Sequence, residues 1–160
     1  MNIFYVDENP VIAAQMLCDK HVVKMILESA QLLCSVHYFY TSSYQPVYKL
    51  THKNHPCSIW ARTSVANYVW LCQHGLALCE EYTNRYGKIH KSEAVIRDCY
   101  SHIPSIPDDH FTKPPLAMPD LYKSDDPVES YRKYYLGEKM GFATWKTKPP
   151  YWIEALEGVA

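Results

Sequence analysis

One polar line on a long apolar helix carries residue types suited to acid–base chemistry. At about 100° per residue, four side chains of the helix predicted over residues 11–38 fall within one arc of roughly 80°: His21, Lys24, Glu28 and Gln31. In a cleft, a glutamate beside a lysine and a histidine is a candidate general acid or base with a tunable pKa. The alternative is a solvated helix face with an i,i+4 Lys–Glu ion pair.

A second cluster of polar and basic residues lies between positions 52 and 62. Its members are His52, Lys53, Asn54, His55 and Arg62. They crowd a loop and the start of the next predicted helix, where a helix N-terminus and cationic side chains together suit a phosphate. Loops also carry functional residues more often than cores do. The alternative is an exposed polar loop without a ligand.

A third candidate surface is one face of the last predicted helix. Arg132, Tyr135 and Lys139 share that face by i,i+3 and i,i+4 spacing. Basic and aromatic side chains in this arrangement could follow the phosphate backbone of a nucleic acid. In the alternative interpretation the tyrosines pack on the core and the charges lie in water.

Metal and nucleotide motifs are weak or missing. Cys18 with His21 and Cys34 with His37 are each three residues apart, but a zinc site needs convergent ligands and the chain has no CxxC pair. It also lacks the Walker A, GxGxxG, GxSxG and HExxH patterns. We therefore expect no metal site.

The composition is that of an ordinary globular domain. The chain has 160 residues, of which 48% are hydrophobic and 21% charged. No apolar run reaches the roughly 18 residues that a membrane helix needs, and the first residues lack signal-peptide features. We therefore expect an intracellular, cytoplasmic protein whose six cysteines are reduced thiols.

The net charge does not indicate a nucleic-acid-binding protein. The total is −1, whereas strongly basic proteins favour nucleic acid through their overall field. The distribution is uneven, because no acidic residue occurs between Glu28 and Glu80. The 14 tyrosines and 4 tryptophans suit stacking on bases or a core built from large side chains.

Periodicity and capping residues predict an all-α fold. Asn9-Pro10 begins the first long helix, and a second is expected from about Ser58 to Tyr86, ended by Gly87. Shorter helices are predicted over residues 92–101 and 127–142.

Irregular segments are expected to connect these helices. Residues 3–6 form a strand or an extended arm, residues 103–126 an ordered loop, and residues 148–152 an extended tail. Runs of strands and glycine turns for a sheet are missing. The prediction is one compact domain over residues 1–160, with three to four helices and long irregular loops.

Three segments in order carry a family resemblance. They are Leu17-Cys-Asp-Lys-His21 followed by Glu28, the helix end over residues 80–87, and Tyr131-Arg-Lys-Tyr-Tyr135 with Lys139. Together they resemble the pyrimidine dimer DNA glycosylases, the UV endonucleases of the endonuclease V type. The segments are similar to that family's LxDxH stretch with its catalytic glutamate, its middle helix and its DNA-contacting aromatic stretch.

The resemblance implies an endonuclease V-like all-α domain that needs no cofactor. In that family the N-terminal α-amino group attacks C1′ of the damaged nucleotide, forms a Schiff base and cuts the strand by β-elimination. α-Amino groups have pKa values of about 7.7 to 8.0, so a useful fraction is neutral at pH 7. By carry-over, Glu28 is the acid or base, and His21 orients the phosphate or the glutamate. The nucleophile is the amine of Met1, or of Asn2 if Met1 is removed.

The chain departs from the family pattern around the glutamate. The family places phosphate-binding arginines there, whereas Leu27 and Gln31 stand here. The cluster over residues 52–62 would replace that contact or mark a different substrate. The implied function is a monomeric DNA glycosylase, with AP-lyase activity, acting on duplex DNA that contains a damaged or modified base. The alternatives are an enzyme or binding protein for a free nucleotide and a binding module in which Glu28 merely pairs with Lys24.

Overall fold

Helices and ordered loops make up the computed structural model, which describes residues 1–153. The six α-helices are α1 (Pro10–Met16), α2 (Asp19–Val36), α3 (Pro56–Ala61), α4 (Val65–Tyr86), α5 (Glu93–Ser101) and α6 (Pro127–Tyr134). A 3₁₀ turn covers Asp120–Tyr122 and a π-helical turn covers Tyr135–Lys139. No strand occurs in residues 1–153, which confirms the all-α prediction. The helices outnumber the three to four predicted because both long helices are interrupted.

Leu17 interrupts the helix predicted over residues 11–38, and its backbone is extended at φ −70°, ψ 143°. Distant side chains bind the carbonyl groups at the end of α1. Arg85 Nη1 donates to the Leu17 carbonyl over 2.8 Å, and Trp145 Nε1 donates to the Met16 carbonyl over 3.0 Å. Arg85 follows Leu17 by 68 residues in the sequence, and Trp145 follows Met16 by 129 residues. The local pattern therefore gives no sign of the break.

A second break divides the helix predicted over residues 58–86 into α3 and α4. Ser64 caps α4 by accepting a hydrogen bond from the Asn67 N–H over 3.1 Å. The Asn67 amide then donates to the Trp60 carbonyl at 2.9 Å and to the Thr112 hydroxyl at 2.8 Å. One buried amide thus joins α3, α4 and a distant loop.

Several helix termini lie where the sequence predicts them. The Asn9 side chain accepts hydrogen bonds from two N–H groups of α1, and the Asp126 side chain does the same for α6. Gly87 ends α4 in the left-handed conformation, with φ 68°. The last helix is shorter than predicted, since a π-helical turn replaces its second half.

α2 and α4 form the centre of the fold, and α1 and α5 pack against α4. A Cβ atom on Gly75 of α4 would lie 3.1 Å from Cδ1 of Ile96 on α5, so a glycine allows this close approach. Tyr68, Tyr131 and Tyr135 are among the largest fully buried side chains of the core. Across the described residues, no helix is both long and apolar enough to cross a membrane.

The irregular segments are ordered by contacts with the helices. Residues 103–126 form the predicted loop, apart from the 3₁₀ turn. Residues 3–6 are a buried arm without strand pairing. The extended tail predicted over residues 148–152 is partly wrong, because a helical turn begins at Tyr151 and Trp152 is buried. The Ile153 N–H donates to the Pro150 carbonyl over 3.1 Å and closes that turn.

Candidate active site

A pocket of about 590 Å³ opens beside the first residue of the chain. Its α2 wall consists of Val23, Lys24, Leu27, Glu28 and Gln31, and Met1 lies against that wall. The helical repeat places these side chains on one face of α2. Lys24, Glu28 and Gln31 of the predicted polar line therefore meet in one concave site.

The N-terminal amino group lies against the Glu28 carboxylate. Glu28 Oε1 is 3.5 Å from the Met1 nitrogen and accepts a hydrogen bond from the Asn2 N–H over 3.2 Å. Glu28 Oε2 lies 3.9 Å from Lys24 Nζ. The side chains of Met1 and Glu28 are only 3% and 12% exposed. The carboxylate thus lies beside an amine in a recessed position that is poor in water.

The Asn2 side chain fixes this arm in place. Its Oδ1 accepts hydrogen bonds from the N–H groups of Ile3 and Phe4 at 2.8 and 3.0 Å. Its Nδ2 donates to the Ala117 carbonyl at 2.9 Å. Phe4 has φ 50°, an uncommon conformation for a residue with a side chain. The bonds of Asn2 therefore hold the first residues in a turn that presents their nitrogen atoms to Glu28.

The opposite wall of the pocket comes from two loops. It consists of Tyr48, His52, His90, Lys91 and Ser92. The hydroxyl groups of Tyr48 and Ser92 are 2.8 Å apart, and the Ser92 N–H donates to Nδ1 of His90 over 3.1 Å. Partial burial lowers the pKa of His90, so this histidine is a neutral acceptor at pH 7. These contacts give the wall a fixed arrangement of hydroxyl and imidazole groups.

Hydrogen bonds to α2 hold the first of these loops. The Ser35 hydroxyl is 3.3 Å from both the N–H and the carbonyl of Thr51. The Tyr38 hydroxyl donates to the Tyr48 carbonyl over 3.1 Å. His52 follows with φ 51°, and its Nδ1 lies 2.7 Å from the Thr51 hydroxyl. The loop therefore places Tyr48 and His52 across the pocket from Glu28.

His55 lies near the N-terminal amine, outside the pocket wall. Its Nδ1 accepts a hydrogen bond from the Cys57 N–H over 3.0 Å and caps α3. Partial burial lowers the pKa of His55, and the nearby positive amino group and His52 lower it further. Glu28 opposes this shift. His55 thus belongs to the same electrostatic environment as the amine and Glu28.

The other members of the loop cluster lie further out. Lys53 and Asn54 are exposed in the turn before α3. The Arg62 guanidinium donates to the Lys53 carbonyl over 2.7 Å and lies 4.1 Å from the centre of the Phe39 ring. Arg62 therefore stabilises the turn, while Lys53 and Asn54 are free to meet solvent or a ligand.

The structure does not bring His21 to the pocket. His21 is buried, stacks on Phe4 at a ring distance of 4.3 Å, and its Nδ1 is 2.8 Å from the Tyr135 hydroxyl. Burial, aided by three nearby lysines, lowers its pKa to about 4. His21 is thus a neutral support for the N-terminal arm, too deep to orient a phosphate.

Two of the three residues expected to meet DNA on the last helix have structural partners. Tyr135 is fully buried, and its hydroxyl accepts a hydrogen bond from the Cys18 N–H over 2.9 Å. Arg132 Nε donates to the Val6 carbonyl over 2.8 Å. Lys139 is half-buried, with Nζ 4.7 Å from the Tyr134 ring centre. Burial excludes Tyr135 from direct contact with DNA, whereas Lys139 is only partly buried.

No group of three His, Cys, Asp or Glu side chains within residues 1–153 could hold a metal ion. All six cysteines are buried as free thiols. The sulfur atoms of Cys34 and Cys99 lie 3.9 Å apart. The two Cys–His pairs considered in the sequence serve packing and hydrogen bonding.

Sequence reasoning missed six residues of the pocket: Val23, Leu27, Tyr48, His90, Lys91 and Ser92. The last three had a signal that could have found them. The missed signal is a cationic stretch, Lys88-Ile-His-Lys-Ser92, directly after the glycine that ends α4. A short loop between two helices is a favoured place for binding residues. Its proximity to Glu28 depends on the packing of α4 and α5 against α2, which local pattern does not reveal.

One comparison with known proteins identifies a relationship. A family model described as "Pyrimidine dimer DNA glycosylase" matches residues 1–94. That range covers more than half of the chain and contains all the residues that line the pocket. No match is found among curated proteins or among solved structures.

Proposed function

The chain belongs to the pyrimidine dimer DNA glycosylase family, and on that premise we propose that it excises a damaged base from duplex DNA through a Schiff base on its N-terminal amine. The observation that supports this most is the position of Glu28. Its Oε1 lies 3.5 Å from the Met1 nitrogen and 3.2 Å from the Asn2 nitrogen. The carboxylate would therefore adjoin the terminal amine with Met1 retained or removed.

Base excision in this proposal begins with the amine lone pair. The nitrogen bonds to C1′, the bond from C1′ to the base breaks, and the base leaves with the electron pair and takes a proton from water. Glu28 accepts a proton from the attached nitrogen and gives it to O4′ as the sugar ring opens. The nitrogen lone pair then forms the C=N⁺ bond of the iminium ion. The nearby carboxylate stabilises that cation.

Strand cleavage follows from the same intermediate. The iminium ion acidifies the hydrogen on C2′, and the Glu28 carboxylate, which has given its earlier proton to O4′, accepts this one. The C3′–O bond then breaks, and the 3′ phosphate leaves with the electron pair. Water finally releases the amine. This β-elimination gives the AP-lyase activity of the proposal and needs only the amine, Glu28 and water.

Cations at the mouth of the pocket suit the charge of DNA. Lys24 and Lys91 are exposed there, and Lys53 is exposed on the neighbouring turn. Among the lining residues, Lys24, Lys91 and the terminal amine face one carboxylate, Glu28. We propose that Lys24, Lys53 and Lys91 contact phosphates, replacing the arginines that the family places beside its glutamate.

A free nucleotide is the second candidate substrate. The pocket volume of about 590 Å³ lies within the range of sites that enclose small molecules. Such an enzyme would bind nucleotides without duplex DNA, and nucleotides would raise its melting temperature. Lack of DNA binding together with that shift would favour this candidate.

Borohydride trapping on a duplex with one abasic site tests the mechanism. We expect a covalent protein–DNA adduct, mapped by peptide mass to the N-terminal residue. Glu28→Gln should retain the fold and lose at least about ten-fold in adduct formation, because the amide cannot accept the proton. Glu80→Gln on the exposed face of α4 is the matched control and should react like the unaltered chain.

A short peptide extension before Met1 tests the nucleophile separately. It removes the free amine beside Glu28 and leaves all side chains unchanged, so we expect no adduct. An extended chain that is still trapped, or an adduct on an internal lysine, would contradict the N-terminal mechanism. A Glu28→Gln protein with full activity would contradict the role of the carboxylate.

A further inference from the structure

His52, on the pocket wall opposite Glu28, has a backbone conformation that few residues with side chains adopt. Its φ is 51°, in the left-handed region that favours glycine. The loop is held there by its neighbour Thr51, whose carbonyl accepts from the Ser35 hydroxyl and whose N–H donates to it, both over 3.3 Å. Conformations of this kind cost folding free energy and cluster at functional sites. Here the result is an exposed imidazole that lines the same pocket as the terminal amine.

The contact between His52 and Thr51 leaves one imidazole nitrogen available to a ligand. His52 Nδ1 lies 2.7 Å from the Thr51 hydroxyl, and within residues 1–153 the structure gives Nε2 no partner. A hydroxyl group accepts from a protonated imidazole nitrogen and donates to an unprotonated one. The ring can therefore gain or lose a proton at Nε2 without losing the support of Thr51.

The neighbouring polar groups of this wall are already engaged. The Tyr48 and Ser92 hydroxyl groups are 2.8 Å apart, and His90 Nδ1 accepts a hydrogen bond from the Ser92 N–H over 3.1 Å. Partial burial also lowers the pKa of His90, so that ring is a poor carrier of positive charge. Of the two imidazoles that line the pocket, His52 is the one suited to give a proton to a ligand.

The strand-cleavage step of the proposed reaction calls for such a proton. When the C3′–O bond breaks, the phosphate leaves as a monoester and gains a second negative charge. A phosphate monoester takes up a proton with a pKa of about 6, close to the value of about 6.5 for a free imidazole. An imidazolium beside the departing oxygen therefore stabilises the charge as it develops, which the amine and Glu28 do not do.

Electrostatic repulsion directs the phosphate towards His52. Glu28 has to adjoin C2′ to accept its proton, and the phosphate is attached to C3′, the next carbon of the sugar. Because the phosphate and the carboxylate are both negative, the favoured orientation points the phosphate away from α2. The wall that it then faces is the one that carries His52.

We propose that His52 is a catalytic acid for strand cleavage, with Nε2 giving a proton to the departing 3′ phosphate. Glu28 takes the proton from C2′, and the electron pair of that C–H bond forms a double bond between C2′ and C3′. The electrons of the C3′–O bond go to the phosphate oxygen, which accepts the proton of His52. This inference rests on the proposed function, because the elimination starts from the iminium ion on the terminal amine.

The experiment measures iminium formation and strand cleavage separately on a duplex with one abasic site. Borohydride trapping reports the first step, and a denaturing gel reports the second after the remaining abasic sites have been reduced. The variants are His52→Asn and His52→Gly, because asparagine and glycine both accept a positive φ and keep the loop in place. His110→Asn in an exposed loop is the matched control.

We expect strand cleavage to fall about ten-fold or more in both variants, while the initial rate of trapping changes by less than about two-fold. The uncleaved iminium adduct should therefore accumulate. Free imidazole should restore part of the cleavage in His52→Gly, where the missing ring leaves space for it, and should leave His52→Asn unchanged. His110→Asn should react like the unaltered chain.

The inference would be overturned by cleavage that is unchanged in the His52 variants, or that falls by the same factor as trapping. A His52→Gly protein that imidazole does not restore would also count against it, as would trapping without any strand cleavage by the unaltered chain. Absence of trapping by the unaltered chain would instead refute the proposed function on which the inference rests.

Discussion

The backbone N–H of Asn2 donates a hydrogen bond to the Glu28 carboxylate over 3.2 Å, and this joins the beginning of the chain to the middle of α2. The Asn2 side chain meanwhile binds the arm at Ile3 and Phe4. One residue thus sets both the shape of the arm and its distance from the carboxylate. Two kinds of contact, one through the backbone and one through the side chain, act together on the amine.

Asn2→Ala tests this positioning role. It removes the acceptor for two N–H groups and the donor to Ala117, so we expect a loss of about 1–3 kcal/mol in the free energy of unfolding. The rate of borohydride trapping should fall under saturating DNA, with little change in DNA affinity. Asn2→Asp retains the acceptor and should recover part of the rate. Asn84→Ala, exposed on α4, is the control; a weakened affinity with an unchanged rate would contradict the assignment.

Salt dependence tests the phosphate contacts at the mouth of the pocket. Each lost contact should lower the slope of log Kobs against log salt by about 0.9 for duplex DNA. We therefore expect Lys24→Met and Lys91→Met each to reduce the slope by nearly one. Lys123→Met is the control, because Lys123 pairs with Asp120 at 2.9 Å. Slopes that stay constant in both test variants would place the DNA elsewhere.

The Arg85 ion pairs test what the buried polar network contributes to stability. The Arg85 side chain is 0% exposed, and its guanidinium nitrogens lie 3.1 Å from the Asp19 carboxylate and 2.9 Å from the Glu81 carboxylate. Arg85→Met leaves two carboxylates without their cation, so we expect a loss of about 3–5 kcal/mol in urea unfolding. The control is Arg97→Met. Because the Arg97 side chain is 64% exposed, this substitution should lower the free energy of unfolding by less than about 1 kcal/mol. Equal effects would contradict the role of burial.

Buried histidines predict the pH dependence of stability. Burial lowers the pKa of His21, His37 and His74 to about 4 in the folded protein, against about 6.5 when unfolded. At pH values between about 4 and 6.5, the unfolded chain therefore binds more protons than the folded protein does. The free energy of unfolding should therefore fall as pH falls from about 6.5 to 4, by up to about 1.4 kcal/mol per pH unit for each histidine.

Urea unfolding at about pH 7, 6 and 5 measures this slope. His74 Nδ1 lies 2.9 Å from the Pro10 carbonyl, and His74→Gln keeps a donor for that carbonyl. This variant should reduce the change of unfolding free energy with pH by the contribution of one histidine. His110→Gln, exposed in a loop, should leave it unchanged. Stability that stays level over this range would show that the histidines take up protons while folded.

Local sequence signals predicted the helix termini and failed at the helix breaks. Asn9, Gly87 and Asp126 cap their helices through neighbouring residues, so a short window contains the whole cause. The break at Leu17 depends on Arg85, and the break at Ser64 is supported by Asn67 and a distant loop. Those partners meet only in the folded chain.

The candidate site likewise contains some residues that local sequence predicts and others that only the folded structure brings together. Lys24, Glu28 and Gln31 share one helix face, and the helical repeat alone predicted their meeting. Tyr48 and Ser92 lie 44 residues apart on loops whose positions come from tertiary packing. The burial of Tyr135 also escaped prediction, because a tyrosine on a helix face suits a core and a surface equally well.

The hydrogen bond between Asn2 and Ala117 spans 115 residues, and this separation has a consequence for synthesis. Asn2 is made 115 residues before Ala117 and leaves the ribosome well ahead of it. The nascent arm therefore lacks this anchor until that later segment has been made. The N-terminal amine is fully held beside Glu28 only after the segment around Ala117 has folded against the arm.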